Sequence, residues 1–119
     1  MVDSCKNLAK PGSKTNPYPK CNVKHTQGTI GTTMTKNKTK DPIFEESFMC
    51  RSKNFDTENL HVEVVDTKSS DQLLGKVRIP LNFIQNSPRR EFFNMNYPLE
   101  DGLNQEASIN LSAKLYGVR

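Results

Sequence analysis

Apolar and polar residues alternate most cleanly at residues 60–65, where Leu60, Val62 and Val64 share one parity and His61, Glu63 and Val65 the other. A period of two marks a half-buried strand. A polar run from Asp66 to Asp71 follows, made of residues that favour turns. Leu73, Leu74 and Gly75 then lead into Val77, Ile79 and Leu81, a second alternating run that Pro80 interrupts near its end. Residues 60–81 therefore predict strand, loop, strand, with the loop on one rim of an antiparallel sandwich.

The rest of the chain repeats this pattern. Residues 2–8 predict a first strand and residues 9–17 a loop, with Pro11-Gly12 as a turn pair and Asn16-Pro17 as a turn opener. Residues 18–24 predict the second strand; Pro19 has no N–H for a ladder, so this strand is expected at a sheet edge or bulged. The threonine-rich residues 29–35 read as a third strand and residues 36–40 as a charged corner. Residues 44–50 read as a fourth, with Phe44, Phe48 and Cys50 on one parity. Beyond the central pair, a helical turn is expected over residues 81–86, a strand over 91–99 and a turn at Asp101-Gly102. The last strand, residues 107–115, alternates strictly through Ala107, Ile109, Leu111, Ala113 and Leu115. Eight strands, turns roughly every 8 to 12 residues and no helix with an apolar stripe predict an all-β antiparallel sandwich.

Composition sharpens this picture. A chain of 119 residues is one domain's worth, so residues 1–119 are read as a single domain. Its 34% hydrophobic content and mean hydropathy of -0.71 suit a sheet sandwich with polar outward positions better than a buried parallel sheet. No apolar run approaches the roughly 18 to 20 residues that cross a bilayer. The opening Met1-Val2-Asp3-Ser4 has no basic region followed by an apolar one, so no signal peptide is expected there. Cys5, Cys21 and Cys50 form no C-x-x-C pair and read as small buried thiols in a reducing compartment. The tripeptides at Asn37 and Asn110 match a glycosylation acceptor but carry little weight without a secretory signal.

Charge is uneven. Residues 1–40 hold eight lysines against one acid, Asp3, a net +7; residues 41–119 hold nine basic and twelve acidic residues, a net −3. The basic third suggests an anionic partner for one face. Nucleic acid is not expected, because aromatic residues are not interleaved with the basic ones. His25 and His61 stand alone, no nucleophile motif or glycine-rich phosphate loop occurs, and an enzyme is not expected. Glu46 reads as a hydrogen-bonding structural residue.

Four stretches, in order, resemble the C2 domain family. Asn16-Pro17-Tyr18 resembles its D-P-Y element, and residues 41–48 (DPIFEESF) its N-P-x-W/F-x-E-x-F element. Residues 60–81 resemble L-x-V-x-V-x-D followed by L-G-x-x-x-I-P-L, and Tyr97-Pro98-Leu99 resembles a terminal W-x-x-L. The extra strand at residues 107–115 implies the type II circular order. The opening Asp3-Ser4-Cys5-Lys6-Asn7-Leu8 and Asn16-Pro17-Tyr18-Pro19 are most similar to the second C2 domain of the extended synaptotagmins.

The resemblance implies a site and shows where this chain departs from it. Calcium-binding C2 domains cluster about five aspartates on two rim loops, since calcium needs several anionic oxygens. Carried over, these positions fall on Lys10, Asn16, Asp66, Lys68 and Gln72, with Asp71 one residue before the last. With lysine at two of them, no calcium site and no cofactor is expected. Many C2 domains instead bind phosphoinositide headgroups through a basic sheet face. Lys20 matches one such position, while Thr32 and Met34 stand where basic residues are expected. Lys20 and Lys24 share one parity and Lys36, Lys38 and Lys40 another, so these five lysines are the expected anionic-phospholipid contacts. The resemblance further implies a cytosolic-face module of a tether between endoplasmic reticulum and plasma membrane, beside an adjacent C2 domain of the same parent. A protein-docking or spacer role without lipid affinity remains the alternative.

Overall fold

The computed structural model describes residues 1–26 and 28–116. Eight strands form two four-stranded antiparallel sheets: β1 (Val2–Lys6), β2 (Pro19–His25), β3 (Gly28–Thr32), β4 (Ile43–Glu46), β5 (Asn59–Asp66), β6 (Gln72–Pro80), β7 (Glu91–Pro98) and β8 (Ser108–Lys114). One sheet runs β4-β1-β8-β7 and the other β3-β2-β5-β6. One short helix, α1 (Leu81–Gln85), follows β6 and buries Leu81 and Ile84, as the helical turn expected at residues 81–86 requires. Among the described residues no helix is long and apolar enough to cross a membrane.

The alternation expected around residue 60 sets the core. Val62 pairs with Val23 and Val77, Val64 with Cys21 and Gly75, and both valines are buried. From the facing sheet Cys5, Ile109, Leu111 and Phe92 close the interior. The Cys5 and Cys21 thiols meet between the sheets, and that hydrogen bond, with burial, pushes the Cys21 thiol up. Alternation stops at Val64: the β5–β6 register shifts there, and Val64, Val65 and Asp66 are all buried.

Two of the family-like stretches touch. Gly75 has φ +155, and a Cβ on it would lie 2.6 Å from the Leu99 Cβ. The glycine of the L-G pair thus lets β6 pass against the leucine of Tyr97-Pro98-Leu99. Gly102 backs onto the same strand, where a Cβ would stand 2.0 Å from the Leu74 carbonyl oxygen.

Several local expectations change. β2 is an inner strand, paired with both β3 and β5, and not an edge; Pro19 is tolerated because it is the first residue of the strand. The third strand ends at Thr32 and not at residue 35. Thr33 is buried and closes the ladder with its side chain, its Oγ1 accepting the Cys21 N–H at 2.9 Å. The fourth strand ends at Glu46, so Phe48 and Cys50 lie beyond it, and Cys50 is exposed, not buried. Glu46 does act structurally, its Oε2 accepting the Met34 N–H at 2.8 Å. The loop after β4 is pinned by buried Glu58, which accepts from Ser52 Oγ and the Lys53 N–H and lies 2.9 Å from His25 Nε2. The Ser52 hydrogen bond is the main cause holding the Glu58 carboxyl below its usual range.

Candidate functional site

The rim where β1–β2 and β5–β6 connect holds a cleft of about 730 Å³. Five of the six residues that the resemblance placed in degenerate calcium loops line it: Lys10, Asn16, Asp66, Lys68 and Gln72. Asp71 does not; it is exposed, and with Ser70 it forms a left-handed corner (φ 56 and 52). Asp66 is the one carboxylate among the lining residues, and its Oδ1 already accepts the Tyr18 N–H at 3.0 Å and the Lys68 N–H at 3.1 Å. The second bond caps the turn Thr67–Ser69. Lys68 Nζ lies 5.2 Å from the centre of the Tyr18 ring, within cation–π range.

The five lysines expected to share faces do not act as one group. Residues 36–40 form no strand, so Lys36, Lys38 and Lys40 have no common parity. Backbone bonds tie this corner to the rim instead: the Thr39 N–H donates to the Pro17 carbonyl and the Leu8 N–H to the Lys40 carbonyl. Lys38, at φ 45, lines the rim cleft with Lys10 and Lys68. Lys20 and Lys24 lie on β2, and Lys24 is ion-paired with Glu63 at 2.6 Å.

Beside Lys24 the outward face holds basic residues that the sequence reading missed. A second hollow of about 480 Å³ is lined by Lys24, His61, Lys76 and Arg78, with Glu63 and Glu100. Strand register brings them together: His61 pairs with Lys24 and Arg78, and Glu63 with Lys76. Lys76 and Arg78 belong to the net-acidic part of the chain, so counting charge along the sequence hides them. The antiparallel pairing of residues 60–65 with 73–80 was the signal that could have found them. Desolvation, then the Arg78 charge, pushes the His61 imidazole below its ordinary value of 6.5. Among the described residues no group of three or more His, Cys, Asp or Glu side chains could hold a metal ion.

Two four-stranded antiparallel sheets, with the segments joining β1–β2, β3–β4, β5–β6 and β7–β8 gathered at one rim, define an eight-stranded β-sandwich domain. The sequence profile of the C2 domain matches residues 1–95, and the chain belongs to that family. Its fold is similar to a solved structure of extended synaptotagmin 2 that holds an SMP domain and two C2 domains (TM-score 0.84, 23% identity, 93% of this chain and 25% of that one). It is likewise similar to the calcium-bound pair of C2 domains of extended synaptotagmin 2 (0.81, 23%, 93% and 38%). A single C2 domain of a plant extended synaptotagmin 1 also matches (0.75, 18%, 93% and 86%). The chain thus spans about a quarter of the first of these structures. No curated protein sequence matches it.

Proposed function

We propose that residues 1–119 are one calcium-independent, non-catalytic C2 module that docks weakly to anionic phospholipid, in an extended-synaptotagmin-like tether between endoplasmic reticulum and plasma membrane. The observation that carries this is the charge of the rim. Calcium takes roughly six to eight oxygens, several of them carboxylate. The cleft offers the single carboxylate of Asp66, already engaged by two backbone N–H groups, against Lys10, Lys38 and Lys68. These residues do not fit a calcium ion; they fit an anion.

The membrane contacts are the lysines of the basic third, divided between the face of β2 (Lys20, Lys24) and the corner beside the rim (Lys36, Lys38, Lys40), each contributing about 1 kcal/mol close to an anionic leaflet. The likeness to extended synaptotagmin C2 domains supports a cytosolic-face position beside an adjacent C2 domain. The test is co-sedimentation with neutral and phosphoinositide-containing vesicles, in calcium and in chelator. Equal binding to the anionic vesicles in both is the expected result; binding that requires calcium sinks the reading.

One observation favours the alternative of protein docking. Edge strand β7 exposes Phe93 at 78% and Met95 at 40%, apolar surface that a neighbouring domain could cover. Absence of vesicle binding in every condition would favour that role.

A further inference from the structure

We propose that the rim cleft is a metal-free phosphate site in which Lys10, Lys38 and Lys68 hold the phosphorylated headgroup of a lipid. This rests on the reading of the domain as an anionic-phospholipid binder, and it moves the specific contact from the sheet face to the rim.

The three lysines come from three separate segments: the β1–β2 loop, the β3–β4 corner and the turn after β5. Gathering like charges in a concave site is unfavourable unless an anion shares it, and a cleft of one sign focuses the field that attracts one. Asp66 offsets one of the three positive charges and leaves a positive excess, while its Oδ1 is held by the backbone N–H groups of Tyr18 and Lys68. Lysine ammonium groups are point charges that suit phosphate oxygens. Asn16 and Gln72 add neutral amide donors to the lining.

The walls are fixed before any ligand arrives. The Thr67 N–H donates to the Tyr18 carbonyl at 3.0 Å, and the Thr39 N–H to the Pro17 carbonyl at 2.8 Å. Asn104 Nδ2 donates to the Ala9 carbonyl at 3.1 Å, tying a fourth segment, the β7–β8 loop, to the first. A pre-organised site loses less entropy on binding. The volume lies within the roughly 300–1,000 Å³ typical of small-ligand sites. Leu103, partly exposed at 36%, lines the same cleft and gives an apolar contact beside the cations, which favours a lipid over a free phosphate.

The test uses the full chain, chelator throughout, and two probes: soluble inositol 1,4,5-trisphosphate by calorimetry, and phosphatidylcholine vesicles with or without phosphatidylinositol 4,5-bisphosphate. Three variants are compared after their thermal midpoints are shown to be unchanged: Lys10→Gln with Lys68→Gln, Lys20→Gln with Lys24→Gln, and Asp66→Asn, which keeps the capping oxygen. At about 1 kcal/mol per lysine, the rim pair should weaken both probes by about tenfold or more. Asp66→Asn should tighten them, and the sheet pair should leave the soluble headgroup unchanged. If only the sheet pair weakens binding, the rim site is overturned while the phospholipid reading stands. If the wild-type chain binds the soluble headgroup but no vesicle, the lipid assignment is overturned. If it binds neither probe, both readings fall.

Discussion

His61 shows how one side chain reports on its neighbours. It pairs across strands with Lys24 on one side and Arg78 on the other. Desolvation and the Arg78 charge oppose its protonation, against the opposing pull of Glu63. The unfolded chain therefore binds a proton that the native chain resists. Stability from this group is fully present above 6.5 and is lost as pH falls through that value toward the lower native one. Proton NMR should find the imidazole titrating below 6.5, and a bound phosphate on this face should move it upward. A titration at or above 6.5 in the free chain would contradict the environment described. Gly75 makes a second prediction: Gly75→Ala combines a left-handed φ with a Cβ driven against Leu99. Overpacking of this kind costs about 1–3 kcal/mol, to be read as a lowered urea midpoint with unchanged slope. The cysteines give a third. Cys50 is exposed, its thiol pushed up by partial burial and the Glu58 charge, while Cys5 and Cys21 lie in the core. A thiol reagent should titrate one cysteine in the native chain and all three in denaturant.

At the level of the element, the strands were legible wherever side-chain alternation was continuous. β5, β6 and β8 follow the alternation read at residues 60–65, 73–81 and 107–115, except that Leu81 opens α1 and Ala107 and Leu115 lie just outside β8. The errors fall where a side chain replaces a ladder bond or the backbone turns left-handed. Thr33 completes the ladder past β3, and Glu45 (φ 51) bends the chain within β4, so threonine content and parity overran both strands. Pro19 signalled an edge or a bulge; β2 instead sits inside a sheet with Pro19 as its first residue, and its register shift against β3 falls at Val23–Lys24, because composition cannot show which strand comes next to it. The site was half legible for a related reason. Position-by-position comparison found five residues of the rim cleft, since the ordered family stretches fix where each loop leaves its strand, but it included Asp71, which does not line the cleft, and left out Lys38, which does. The cluster of His61, Lys76 and Arg78 depends on register between strands, which the linear charge count does not contain. Glu63 is the acid at its middle, so Glu63→Gln should free Lys24 from its 2.6 Å ion pair and strengthen binding of anionic vesicles. Unchanged or weaker binding would mean this face does not meet the membrane.

Across the whole molecule, two hollows are lined by basic side chains: Lys10, Lys38 and Lys68 at the rim, and Lys24, Lys76 and Arg78 on the outer face of the β3-β2-β5-β6 sheet. Both are open to solvent, so association through them must be sensitive to ionic strength. Raising salt from about 0.1 to about 1 M shortens the Debye length from about 10 to about 3 Å, and vesicle binding should fall to background across that range. Binding that survives would point to the apolar surface of β7 instead.

The pairing of β1 with β8 also governs how the molecule comes to exist. Val2 lies opposite Leu111 and Cys5 opposite Ile109, so the middle of one sheet is made by residues that synthesis separates by almost the whole chain. Local hairpins such as β5–β6 can close early, but this pairing must first close a loop of that length, and all-β domains rich in such contacts fold in about milliseconds to seconds. Until β8 emerges, β1 and β7 lack the strand that joins them, so the nascent domain keeps open, adhesive backbone edges until its last strand has been made.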